Sequence, residues 1–544
     1  MKKHTVVVIT LICLLFTSVA AFSLRAWASE YDPYSIYYNS KSTGYTGYII
    51  NNTPYLPIAM IGNYAKNSGI SVDSANKKLN INLSSEKILL GDDQITNFVK
   101  SNAGTVYIPL RDIEGSLYFP LNTTEQFFKL SYSISGSKIK LKEYSGTDKV
   151  AKVNTSSADA VTSLLNGSGE KVQLDYDETV MILGETGNFY KIATNDVDEA
   201  YTYKNNITIS QIDLASYDFY APKKDKFKQG SQKINLAWQY VSSFTPEAPQ
   251  KYAGLDILAP TWFDLIVNGS GNVENNGDKG YTDTCHKNGY MVWSTITNNM
   301  STKGSTAFTT QVFNDQNMLY KSIAQYLFYA CLYDVDGINI DYEDVVDADA
   351  ANLVHFTKTL RAFTDRQGLT LSIDTSIPAS WTIEYDRDAL AKYVDYIAIM
   401  SYDEHYSGSK TPGSVASLPW AEKAIKNTIA EGVPANKILM GMPLYTRVWC
   451  MNSDGSLASN KSATMTWVNN MLSTSGRTPT YLSDVGQNYI EYADGNTTAK
   501  IWIEDSTSIS NRLKLVQRYN LAGGACWQYS QGAPEIWAIF NNYK

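Results

Sequence analysis

Histidine is scarce in this chain: there are four in 544 residues, and none lies between residues 5 and 285. Cysteine is nearly as rare, at five, and no two are spaced as Cys-x-x-Cys. Zinc sites draw on these residue types at short spacings, so neither a metal centre nor another cofactor is expected. An excess of positive charge is also missing, since 46 Lys and Arg face 54 Asp and Glu for a formal net charge of −8. That balance disfavours nucleic acid or an acidic membrane surface as partner and is compatible with a neutral polysaccharide. The chain is too long for a single hydrophobic core, and roughly two to four domains are expected.

The first residues read as a secretory leader. Lys2-Lys3-His4 precedes an apolar run from Val6 to Ala21, and Ala26-Trp27-Ala28 supplies an Ala-x-Ala cleavage pattern, with cutting expected after Ala28. The alternative is an uncleaved anchor, because the run approaches the ~17 residues a spanning helix needs. Either way the remainder lies outside the cytoplasm, and loss of residues 1–28 removes Lys2, Lys3 and Arg25 but no acid. Of the remaining cysteines, Cys285, Cys331, Cys450 and Cys526 leave open two disulfides or buried free thiols.

The most informative stretch is Asp336-Gly337-Ile338-Asn339-Ile340-Asp341-Tyr342-Glu343. As one extended strand it puts Asn339, Asp341 and Glu343 on one face and Ile338, Ile340 and Tyr342 on the other. A polar row at the end of a parallel strand costs desolvation energy unless something binds there, so the run reads as a site. It resembles the Asp-x-x-Asp-x-Asp-x-Glu signature of glycoside hydrolase family 18, the chitinases and related β-N-acetylglucosaminidases, with Asn339 in place of the middle Asp. Residues 233–240, 394–403, 438–445 and 522–527 support the resemblance in the same order.

From about Ser231, apolar runs alternate with helix-length amphipathic stretches, the pattern of a parallel α/β barrel. Strands are expected at 234–240, 255–259, 290–295, 335–341, 369–375, 396–400, 438–444 and 524–528. About 80 residues separate the last two, too many for a simple loop. The expected fold is therefore a (β/α)8 TIM barrel over 228–544, and the resemblance to chitinases implies a small α+β insertion at about 446–500, after strand 7.

The family resemblance implies a retaining, substrate-assisted reaction in which the substrate's N-acetyl carbonyl attacks and gives an oxazolinium ion. By that resemblance Glu343 is the general acid and then the base, with a raised pKa supplied by its neighbour Asp341. Asp341 holds the acetamide N–H, and Asp336 is a buried proton-sharing partner although its parity is wrong for that face. Asn339 can hydrogen-bond Asp341 but carries no charge, which implies a shifted pH profile. Its presence is similar to family members acting on spore cortex and turns the expectation toward peptidoglycan. Tyr402 would support the attacking carbonyl. Asp403 would bind sugar hydroxyls, Trp527 would floor the site, and Met400, Tyr445 and Trp293 are further candidates for the substrate pocket. Glu404 and His405 read as a solvated loop. Lectin-like members of the family lose the acid, so a silent glycan-binding barrel is the competing expectation.

Ahead of the barrel, residues 29–46 read as a loosely held lead-in within a domain spanning 29–145. Tyr55-Leu56-Pro57-Ile58 and Tyr107-Ile108-Pro109-Leu110 each open a strand, helix and hairpin unit, an α+β repeat. The pattern resembles the copper amine oxidase N-terminal-like domain, with no copper site here. Residues 146–166 read as a linker, and 146–215 as a whole is similar to a bacterial Src-homology-3-like small β-barrel. Residues 29–215 are expected either to attach the chain to the cell wall or to serve as a spacer and stabilising appendage without a partner, in a secreted, monomeric protein whose substrate is a polysaccharide containing N-acetylglucosamine.

Overall fold

The computed structural model describes residues 31–64, 69–144, 148–156, 158–165, 169–208 and 214–544. The leader expected at 1–28 lies outside the described residues. Eight parallel strands close a barrel: β1 (Ile234–Gln239), β2 (Ile257–Leu265), β3 (Met291–Thr297), β4 (Gly337–Asp341), β5 (Thr370–Ser376), β6 (Tyr396–Met400), β7 (Ile438–Pro443) and β8 (Gly523–Trp527). Closure comes from β1 pairing with both β2 and β8. β2 begins two residues later than expected and runs six residues further, where it gains an antiparallel partner at Val273–Asn275.

Strands in such a sheet are covered on both faces, so they read as near-continuous apolar runs. All six residues of β1 and all five of β4 are buried. Leu236, Trp238, Trp293, Tyr396 and Leu439 fill the barrel interior, while Ile338 and Ile340 join the larger core shared with the surrounding helices. Gly337 is needed where Trp293 crosses, because a Cβ there would lie 2.7 Å from the indole Cδ1.

The insertion after β7 is a five-stranded antiparallel sheet from Tyr445 to Ile503, with one helix, Met465–Ser475. Glu504 and Arg512, both buried, clamp its end to the helix Ser506–Arg518 through two parallel bonds of 2.6 and 2.8 Å.

The N-terminal region is mostly sheet. Most of residues 29–46, expected as a loose lead-in, fall in the paired strands Pro33–Tyr38 and Lys41–Ile50. The second repeat unit is displaced from its expected start: Thr105–Pro109 leads into a hairpin, and the helix Leu121–Thr124 follows Tyr118-Phe119-Pro120 instead. Pro120 sits at the N-cap of that helix with extended backbone, as a residue entering a helix should. Within the stretch expected as a linker, Val150–Val153 and Ala158–Val161 are strands of a second seven-stranded antiparallel sheet with its own core.

These sheets are packed directly against the barrel. Leu79, Ile108, Phe127 and Phe219 belong to the same apolar cluster as the barrel helices. Phe98 stacks on Phe363 at 4.1 Å, and Arg366 bonds Asp92 at 2.9 Å. The connector after Ala221 crosses Gly368, whose φ of +79° and closeness to the Lys224 carbonyl leave no room for a side chain.

All four cysteines after the leader are free thiols; Cys285, Cys331 and Cys526 are buried, so the disulfide alternative is set aside.

Removing one partner of a buried bidentate pair leaves the other charge stranded, at a cost of about 3–5 kcal/mol. Arg512→Ala is expected to lower the unfolding free energy by about that amount in urea titrations. An unchanged midpoint would show that the pair clamps nothing.

Candidate active site

A cavity of about 600 Å³ opens at the C-terminal ends of the barrel strands. Trp238 contributes from β1, Asp341 and Glu343 from β4 and the loop after it, Asp374 and Ser376 from β5, Met400 and Tyr402 from β6 and its loop, and Trp527 from β8. The structure thus brings six of the residues singled out in the sequence into one cavity: Glu343, Asp341, Tyr402, Met400, Asp403 and Trp527.

Glu343 lies just past the end of β4, half-buried. Its backbone is fixed by Asn298, which accepts from the Glu343 N–H at 3.1 Å and donates to its carbonyl at 2.7 Å. Burial, then the charges of Asp344 and Asp403, raise its carboxyl to about 7. Asp341 is buried, its Oδ1 meets no hydrogen-bond partner among the described residues, and its pKa stands well above the usual range. Burial is the main cause, followed by Glu343, Asp374 and Asp264. Tyr402 is held in its protonated form by burial and by the same acids, so its hydroxyl is available as a donor. Asp403 sits in left-handed backbone with φ +59° and accepts from the Tyr445 hydroxyl. Tyr445 therefore positions Asp403 and is not itself part of the cavity lining.

Three expectations are corrected. Trp293 pairs in register with Gly337, whereas Asp341 pairs with Thr297. Four residues of strand, roughly 13 Å, separate Trp293 from the acid level, and its buried ring stacks on Tyr396 at 5.5 Å in the barrel floor. Asp336 faces the opposite end of the barrel and shares no proton with Asp341. It accepts from His286 Nε2 and the Val292 N–H, each at 2.8 Å, and from Lys224 at 3.2 Å. Burial alone would raise it, but Lys224 and His286 hold it down at about 2. Asn339 does not bond Asp341; its amide is turned to Trp238, Thr295, Ser372 and Asp374.

Several lining residues escaped the sequence reading. Asp374 had a signal, because Ser372, Asp374 and Ser376 repeat on β5 the alternating polar row seen at 339, 341 and 343. Trp381, which is 73% exposed, Trp420 and Tyr406 rim the cavity from loops and a helix start that carry no periodic pattern. Glu404, read as solvated, lines the cavity and accepts from the Ser417 N–H at 2.8 Å. His405 turns away to the Ser414 carbonyl.

A parallel barrel with buried acids and aromatic walls at its C-terminal mouth defines a hydrolase-type sugar site. Residues 304–532, which carry β4 to β8, match the family described as Glycosyl hydrolases family 18, and this stretch is a glycoside hydrolase family 18 domain. The glycosylase YdhD of Bacillus subtilis (strain 168) is 27% identical over 284 residues, covering 51% of this chain and 67% of that protein. The cortical fragment-lytic enzyme of the same organism is 25% identical over 240 residues, 42% of this chain and 55% of that one. The spore cortex-lytic enzyme SleL of Bacillus cereus shares the fold with a TM-score of 0.52 at 19% identity, over 57% of this chain and 75% of that one. The chain spans between about half and two thirds of the length of these curated relatives.

In a carboxyl-detected NMR titration Glu343 is expected to lose its proton near about pH 7, and Asp344→Asn to move that midpoint downward. A midpoint near the ordinary glutamate value of about 4.3 would contradict the geometry.

Proposed function

We propose that the chain is a secreted retaining hydrolase that cuts β-1,4 bonds after N-acetylglucosamine in peptidoglycan, using the substrate's own acetamide as nucleophile. The observation that carries this reading is Glu343: an acid raised to about 7, held by Asn298 beside a second buried acid. At neutral pH a large share of it keeps the proton that a leaving glycosidic oxygen requires.

In the first step the acetamide carbonyl oxygen bonds to the anomeric carbon as the glycosidic bond breaks, and the Glu343 proton passes to the leaving oxygen. Asp341 orients the acetamide N–H and balances the positive ring, while the Tyr402 hydroxyl donates to the attacking carbonyl. In the second step Glu343 takes a proton from water as that water attacks the same carbon and the oxazolinium ring opens. An attacker built into the substrate reaches effective molarities of ~10⁵ M or more, so no protein nucleophile is needed. Trp527 offers an apolar face to the sugar's C–H surface.

Peptidoglycan is favoured over chitin because relatives named as cortical fragment-lytic enzymes match the barrel. Endochitinase 1 of Metarhizium robertsii also matches, at 27% identity over 223 residues, and keeps chitin as the alternative substrate. The N-terminal sheets complete the reading as wall-attachment modules, resembling the copper amine oxidase N-terminal-like and Src-homology-3-like domains.

The purified chain is expected to release sugars from peptidoglycan, with Glu343→Gln slowing release by about 10³-fold. Because the acid must be protonated, kcat/KM is expected to fall as pH rises through about 7. Release only from chitin oligomers would move the substrate to chitin, and glycan binding without turnover would leave a binding barrel.

A further inference from the structure

The register of β4 and β5 pairs Asn339 with Ser372 and Ile340 with Ile373, which sets Asp341 level with Asp374 on the adjacent strand. Neighbouring strands lie about 4.8 Å apart, and both residues have the inward parity of Asn339. Two acids, 7% and 1% exposed, therefore stand side by side in one layer of the barrel. The groups facing them are Asp264 from β2, Glu343 after β4, Tyr385 after β5 and Tyr402 after β6. Among the described residues no Lys, Arg or His bonds either acid. Two such carboxyls cannot both ionise without a large desolvation and repulsion cost, so at least one of them keeps a proton.

With Trp238, Asn339 donates N–H bonds to Asp374 and favours the charged form of that acid, so these bonds bear on which member of the pair carries the proton. The Asn339 Oδ1 accepts from Trp238 Nε1 at 2.9 Å and from Thr295 at 3.1 Å; its Nδ2 donates to Ser372 at 3.0 Å and to Asp374 Oδ1 at 2.8 Å. Trp238 Nε1 also lies 3.0 Å from Asp374 Oδ2. All four hydrogen-bonding positions of the amide are used, and both oxygens of Asp374 are gripped. An aspartate at 339 would set a third acid against Asp374, with an acceptor where the amide now donates. Asn339 is thus the neutral partner that a carboxyl at 374 requires.

We propose that Asp374 is a positioning residue that shares one proton with Asp341, supplying from β5 the carboxyl that position 339 lacks. Resting on the hydrolase reading above, the proton sits on Asp374 while Asp341 is ionised against the positive oxazolinium. It is shared again when that ring opens, with no net proton uptake. Asp374 stands in the cavity wall, nearly fully buried, and acts through Asp341 and not on Glu343's transferred proton.

The test compares wild type, Asp374→Asn, and the exchange variant Asn339→Asp with Asp374→Asn, which keeps the number of acids and amides constant. Asp374→Asn is expected to lower kcat by about 10²-fold with KM within about twofold, and to displace the pH profile. The exchange variant is expected to recover at least about tenfold of that loss and to return the profile toward wild type. Unchanged kcat and pH profile in Asp374→Asn, or no recovery on exchange, would overturn the proposal. Carboxyl NMR of aspartate-labelled protein serves if Asp374→Asn does not fold. Wild type should then show one aspartate signal still protonated near neutral pH, split into neither free-acid nor free-carboxylate behaviour until both acids titrate together. Independent titration of the two would overturn the pairing. No turnover by wild type on any glycan would end the hydrolase reading, while the NMR result would still decide whether the proton is shared.

Discussion

Three carboxyls, Asp341, Asp374 and Glu343, share one cavity, and among the described residues no cation offsets them. Burying an ionised carboxylate without a partner is costly enough that the group takes up a proton instead. Much of the upper barrel serves that constraint. Trp238, Thr295, Ser372 and Asn339 form a neutral hydrogen-bonded lattice around Asp374, and Asn298 holds the backbone of Glu343. The opposite end of the same strand shows the contrary solution. Asp336, five residues before Asp341, is given Lys224 and His286 and stays ionised. One strand thus carries a charged anchor at its start and proton-holding acids at its end.

That anchor also bears on the whole chain. Lys224 lies in the connector between the N-terminal sheets and β1, so its pairs with Asp334 and Asp336 fasten the connector across the barrel floor. Lys279 reaches Asp177 of the second sheet at 3.0 Å and Asp283 of its own helix at 2.7 Å. Together with the apolar cluster that Leu79, Ile108, Phe127 and Phe219 share with the barrel helices, these contacts make the N-terminal region a packed extension. Among the described residues, those that line the cavity run from Trp238 onward, and none belongs to this extension.

The insertion after β7 and the rim aromatics shape that mouth from the other side. Tyr445 opens the insertion's first strand and holds Asp403, which follows β6. The Glu504–Arg512 clamp also reaches the Ala416 carbonyl and ties the insertion to the loop that carries Glu404 and Tyr406. A site residue on one loop is therefore placed by packing two loops away.

The sequence alone determined the eight barrel strands to within a few residues at most ends, the inward parity of Asn339, Asp341 and Glu343, and the existence of an insertion. The strands and their parity follow from local periodicity, which a strand carries in its own residues whatever it later pairs with, and the insertion follows from a gap too long for a simple loop. Only the tertiary structure decided that Trp293 is floor, that Asp336 is an anchor and that Asp374 stands beside Asp341. Those outcomes depend on the stagger between neighbouring strands and on barrel closure, which are set by hydrogen bonds between residues tens to hundreds of positions apart. The run at 336–343 was legible because its polar row is contiguous. The partner row at 372–376 was written in the same alternation, and only the sheet could show that the two rows meet.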